Sequence, residues 1–451
     1  MNAISRSHGR TLGALVSIAA LCLIGYASRS WRPPLSELSP VCMESRGGDA
    51  GECRASFSQA MSFRRSARPA HAVGADAPLA GIANTSAIDL PMPNGDRAGP
   101  PDEILRTALA LDNAPVTDPD YAWLVATTRS ETTELERRIF QDALDGRWDT
   151  LSLPEAAAVA AGVRDAAELE WLRRRMESHV RSAAKRIPAD ASARQRLEAV
   201  FRYLHQEILT GDYRLEATSP LEPLTRGRYN CVSATVWFCT LAERLGLAVE
   251  PLQSPTHAYC RVDCGGKAVI VEATCAEWFD LGRDHPGTSP RAHLVAGTES
   301  IENGPLVSGP KSAGNTNPYG EAARPLSPVA LVGTVYYNRG VEAVLKKRFS
   351  AAVADNVKAL YLDPGNRTAR DNLLAALNNW AIAAAGEKDY PAAAQRLRLA
   401  VRIDPGYGPL PGNLAQLYAR WALHLADTEG ATQAATVIRE ALQLLPPEKA
   451  F

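Results

Sequence analysis

The chain has 451 residues, with 49 Lys plus Arg against 50 Asp plus Glu and a formal net charge of -1. That length accommodates two or three domains, each with its own core. The charge balance supplies no field that would draw a polyanion, which argues against a nucleic-acid partner or adsorption to anionic lipid.

The first residues read as an export signal: Arg6 and Arg10 precede an apolar stretch from Leu12 to Ile24, and Gly25-Tyr26-Ala27 offers a small-x-small cleavage site. The prediction over 1–27 is a signal peptide or, uncleaved, a membrane anchor. Either outcome makes the protein exported, periplasmic or extracellular, or membrane-anchored and facing outward. Cys22 follows Leu21, where an acylated cysteine would follow a small residue, so lipidation is not expected. Beyond Cys22 stand Cys42, Cys53, Cys231, Cys239, Cys260, Cys264 and Cys275, an odd set that leaves one thiol unpaired in an exported chain. Their pairing stays open.

Residues 28–100 are rich in Ala, Gly, Ser, Pro and Arg without a sustained period, and are expected to form a disordered linker. A helical lead-in domain is expected over 101–190. Ser152-Leu153-Pro154-Glu155 gives a capped helix start, and Ala167 to Lys185 carries apolar residues three and four apart. Ala191 to Ile208 continues as an amphipathic helix with Leu197, Val200, Phe201 and Leu204 on one face.

The chemistry concentrates in 191–284. Arg226-Gly227-Arg228-Tyr229-Asn230-Cys231 reads as a loop entering a helix that stops at Gly246. Cys231 then caps a helix N-terminus, where unpaired donors and the dipole favour a thiolate. Downstream, Ala258–Asp263 and Ala268–Ala273 are β-favouring runs about a Gly265-Gly266 turn. If those glycines are the whole loop, Cys264 pairs with Lys267, Tyr259 with Glu272 and His257 with Thr274. His257 and Glu272 then share a face one diagonal step apart, with Cys260 on the other. A carboxylate so placed fixes the imidazole tautomer and stabilises its cation. Asn230 and Tyr229 are candidates for a second oxyanion donor beside the Cys231 N–H. A zinc site of Cys260, Cys264, Cys275 and His257 is the competing use, disfavoured because the tight hairpin aims Cys260 and His257 to different faces. No phosphate loop, paired-histidine metal motif or aromatic-basic stripe is present, so neither cofactor nor metal is expected.

In the order and element type of Tyr229-Asn230-Cys231, Thr256-His257-Ala258 and Val271-Glu272-Ala273-Thr274, the chain resembles the transglutaminase-like superfamily. The resemblance spans about Ala191 to Asp280. It implies a papain-like core in an α+β fold, with Cys231 as nucleophile, His257 as general base and Glu272 as third member, where many members carry Asp. It further implies acyl transfer through a thioester on a protein or peptide amide. A peptidase or amidase is the first expectation. The alternatives are a cross-linking transglutaminase and a silent core serving as a protein-binding platform.

Residues 285–327, rich in Gly, Pro, Ser and Asn, are expected to be a long loop. Over 328–451 the chain repeats at an offset of 41: Pro364, Pro405 and Pro446 fall in register, as do Ala352, Ala393 and Ala434, then Ala359, Ala400 and Ala441. Trp380 matches Trp421. Small residues seven apart let two antiparallel helices approach, so each unit is a helix hairpin. With Gly340, Ala352, Ala359 and Pro364 at the family's spacings, this stretch resembles the tetratricopeptide repeat. The 41-residue period exceeds the family's usual value of about 34, a difference assigned to a longer first helix in the later units. Such stacks imply a protein partner on the repeats, with a purely buttressing role as the alternative.

Overall fold

The computed structural model describes residues 99–254, 257–279 and 323–444. The expected signal or anchor, most of the linker and long loop, and the C-terminal residues around Pro446 lie outside these. The protein is mixed α+β, with a four-stranded antiparallel sheet and a helical C-terminal stack. The described residues fall into two compact units, one formed by residues 133–339 and the other by 99–132 together with 340–444. The segment expected as a single lead-in domain therefore contributes to both.

Before the sheet run α1 (Asp102–Ala108), α2 (Pro119–Ser130), α3 (Glu134–Asp142), α4 (Leu153–Ala160), α5 (Ala166–Ala184), α6 (Ala193–Glu207), α7 (Leu221–Arg226) and α8 (Cys231–Arg244). The strands are β1 (Ala248–Gln253), β2 (Ala258–Asp263), β3 (Ala268–Val271) and β4 (Arg324–Pro325), and α9 (Pro328–Leu345) follows.

The first unit is organised around α8, whose residues from Val232 to Ala242 are all buried. A helix apolar all round belongs in a core. This one packs on β1 and β2 and against α4, α5 and α6. Helix starts follow local chemistry: Ser152 and Ser192 form capping boxes with Glu155 and Gln195. Leu197, Val200, Phe201 and Leu204 of α6 are buried, as the spacing predicts.

The sheet order is β3-β2-β1-β4, antiparallel throughout. Gly265 and Gly266 have φ +73° and +85°. Left-handed values at both central residues suit a two-residue hairpin turn. Cys264 N–H donates to the Lys267 carbonyl at 2.9 Å, and Cys260 faces Val271 in the predicted register. The expected long loop ends in a strand: β4 pairs Arg324 with Gln253 and Pro325 with Leu252.

In the other unit α1 and α2 pack on a stack whose remaining helices are α10 (Phe349–Leu362), α11 (Arg367–Gly386), α12 (Tyr390–Ile403), α13 (Leu410–Thr428) and α14 (Ala431–Leu444). The starts of α10, α12 and α14 are 41 residues apart, and Ala352, Ala393, Ala434, Ala359, Ala400 and Ala441 are all fully buried between helices. α11 and α13 have 20 and 19 residues, against 18 in α9. Buried polar ties join α2 to the stack. Arg398 meets Asp120 at 3.1 Å, and the Lys358 ammonium donates to the Glu131 carbonyl at 2.8 Å.

Candidate active site

Cys231 is the first residue of α8 and keeps part of its surface exposed. Asn230 fixes that helix start, its Oδ1 accepting the N–H groups of Val232 and Ser233 at 2.9 and 3.1 Å. In return the Ser233 hydroxyl accepts the Asn230 N–H at 3.0 Å, closing a capping box. Asparagine suits this place because a short amide oxygen reaches two orphan donors without adding charge beside the thiol.

His257 lies just before β2, its carbonyl accepting the Ser254 N–H at 2.9 Å. Its imidazole runs nearly parallel to the Tyr259 ring, with centroids 6.1 Å apart. Glu272 follows β3 and is buried. His257 Nε2 and Glu272 Oε2 are 2.6 Å apart, which leaves Nδ1 as the nitrogen for the thiol. The second carboxylate oxygen accepts the Thr274 N–H at 2.9 Å and the Thr274 hydroxyl. Both oxygens of the acid are thus committed, which holds its plane toward the imidazole.

The electrostatics follow from this packing. Burial alone would push the Cys231 thiol up. Hydrogen bonding to His257, the charge on that ring and the Ala258 N–H overcome it, so the thiol lies below its ordinary value. Burial would likewise lower His257, yet the Glu272 carboxylate and the thiolate raise it to about 10. A thiol depressed beside an imidazole elevated is the signature of a thiolate–imidazolium pair.

Cys231, His257 and Glu272, singled out from the sequence on three separate elements, therefore come together in one unit. Cys260 goes elsewhere, buried beneath α8 with its sulfur 3.5 Å from that of Cys239. Among the described residues no group of three or more His, Cys, Asp or Glu is arranged to hold a metal ion, and no helix is long and apolar enough to cross a membrane.

Three further residues shape the site without having been singled out for it. Thr274 orients the acid, a role its spacing of two from Glu272 could have suggested. His205 lies against the Glu272 segment through the Ala273 carbonyl. Tyr213 approaches Cys231. The last two reach the site through tertiary packing, for which sequence carries no local signal. Compared with known proteins, the chain matches no family model, no curated protein and no solved structure.

Proposed function

We propose that this protein is a cysteine-dependent acyl-transfer enzyme of the transglutaminase-like kind, with a papain-like core, acting on amide bonds of a protein or peptide as a peptidase or amidase. The observation that carries the reading is the convergence of a thiol in the first turn of a helix on an imidazole whose far nitrogen lies 2.6 Å from a buried carboxylate.

The Cys231 thiolate attacks the amide carbonyl, forming a carbon–sulfur bond as the π pair moves to oxygen. Collapse of that intermediate breaks the carbon–nitrogen bond while the His257 imidazolium gives its proton to the leaving amine. The neutral imidazole then takes a proton from water, whose oxygen attacks the thioester. The thiolate leaves, and the acid product departs. Glu272 keeps the imidazole oriented and stabilises its cation throughout. The helical stack, read as tetratricopeptide-like, offers a surface to the protein carrying the scissile bond.

The test is the pH dependence of iodoacetamide labelling at Cys231, compared with Cys231→Ser and His257→Ala. Fast, Cys231-dependent labelling below pH 7 that falls in His257→Ala is the expected result. Labelling no faster than that of an ordinary thiol would sink the enzyme reading and leave a protein-binding platform in its place.

A further inference from the structure

A tetrahedral intermediate needs hydrogen-bond donors on its oxygen, and the Cys231 N–H, at the head of α8, is one. Asn230 cannot be the second. Its Oδ1 serves the helix cap, and its Nδ2 donates to the Leu215 carbonyl at 2.9 Å and to Thr218 Oγ1 at 2.7 Å. Tyr229 is 6% exposed and meets the Tyr213 ring edge-on, with centroids 6.2 Å apart.

Tyr213 is placed by the backbone. Gly211 N–H donates to the Gly227 carbonyl at 3.1 Å, Tyr229 N–H to the Asp212 carbonyl at 3.2 Å and Arg214 N–H to the Tyr229 carbonyl at 2.8 Å. These bonds lace the segment to the residues entering Cys231, with Tyr213 bridged in parallel to Tyr229. Gly227 has φ +70°, and a Cβ there would come 3.0 Å from the Gly211 nitrogen. Only glycine allows that approach. Farther along, the Ser233 hydroxyl of α8 donates to the Ala217 carbonyl at 2.7 Å, anchoring the other end of the segment. The Tyr213 phenol is thereby brought beside Cys231, close enough for the thiol and the backbone N–H to act on it.

We propose that Tyr213 is the second oxyanion donor, its hydroxyl turning from the thiol to the substrate oxygen as the tetrahedral intermediate forms. This rests on the reading of Cys231 as nucleophile. As the sulfur–carbon bond forms, the carbonyl pair becomes an oxyanion held by the Cys231 N–H and the Tyr213 O–H. When the bond to the leaving group breaks, the pair returns to the carbonyl and Tyr213 keeps its proton. Burial and the adjacent Cys231 hold that phenol well above its ordinary range, so it stays a donor at any working pH.

Two probes separate this role from simple support of the thiol. Para-nitrophenyl acetate acylates the sulfur through an oxyanion and releases p-nitrophenolate, whereas iodoacetamide alkylates it by displacing iodide without one. Both rates are measured on the full chain and on Tyr213→Phe at a pH where the thiol is ionised in each. The expected result is a fall of about 100-fold with the ester and a change under threefold with iodoacetamide. Equal ester rates in the two proteins would overturn the proposal, as would parallel falls with both probes, which assign Tyr213 to the thiol alone. Should Tyr213→Phe lose native circular dichroism, Tyr213→His keeps a ring donor. Retained ester turnover there supports the role, and a parallel loss of ester turnover and iodoacetamide labelling refutes it. A wild-type chain that releases no Cys231-dependent p-nitrophenolate fails earlier, at the enzyme reading itself.

Discussion

Replacing Glu272 by Gln tests the electrostatic core of the site while preserving its shape. Two unit charges about 3 Å apart at an effective dielectric near 20 interact by about 5 kcal/mol. That corresponds to about 4 pKa units at roughly 1.4 kcal/mol each. The size matches the elevation of His257 to about 10 against the opposing pull of burial. In Glu272→Gln the burial and the pull of the Cys231 thiolate remain while the carboxylate charge is gone, so His257 should titrate well below about 10. The consequence reaches the thiol. In the wild type the thiolate–imidazolium pair persists from the depressed Cys231 value up to about 10, and iodoacetamide labelling should hold a plateau across that span. In the variant the imidazole gives up its proton at lower pH, so Cys231 loses its cationic neighbour sooner and its ionisation retreats upward. Labelling at pH 7 should fall at least about tenfold. An unchanged pH profile would show that Glu272 does not control the imidazole, and the account of the site would be wrong.

Asn230→Ala removes a helix cap worth about 1 kcal/mol and strands the Leu215 carbonyl and Thr218 hydroxyl at a similar cost each, so urea unfolding should lose about 3 kcal/mol. A loss under 1 kcal/mol would contradict the cap and its anchoring bonds. His205 should make stability depend on acid. Burial lowers it to about 4, against the opposing pull of Glu277 and the Ala273 carbonyl, so the folded state binds fewer protons than the unfolded one between its ordinary 6.5 and about 4. Stability therefore falls as pH drops through that window, by roughly 3 kcal/mol in all. His205→Leu should flatten this limb in urea midpoints measured at pH 7 and pH 4.5, and an equally steep limb in the variant would refute the assignment.

The sequence exposed what is local. Asn230 before an apolar run announces the start of α8 and so the setting of Cys231, and the paired glycines fix the β2–β3 register from which Glu272 could be placed near His257. The 41-residue offset gave the helix hairpins through small residues that have to be small. What escaped is non-local. β1 contains Pro251, which argues against a central strand, and it is completed by β4, which lies far along the chain at Arg324–Pro325. The lead-in divides after Thr132 because α2 is tied by Asp120 and Glu131 to helices more than two hundred residues later, a partnership no local periodicity can announce. Tyr213 reaches Cys231 through a parallel bridge across a loop, again invisible to spacing.

The Gly265-Gly266 turn looks like an inviting place to alter this molecule. Both residues are exposed, and neither would bring a Cβ within 4 Å of anything. Yet its length sets the phase between the two strands on whose ends His257 and Glu272 depend. An inserted residue carried into the pairing rather than absorbed by the loop would slide β3 by a single step against β2 and swing the acid to the opposite surface. The turn is thus a measuring spacer. Its composition can change among residues that accept left-handed backbone, whereas its length is tied to the spacing of His257 and Glu272.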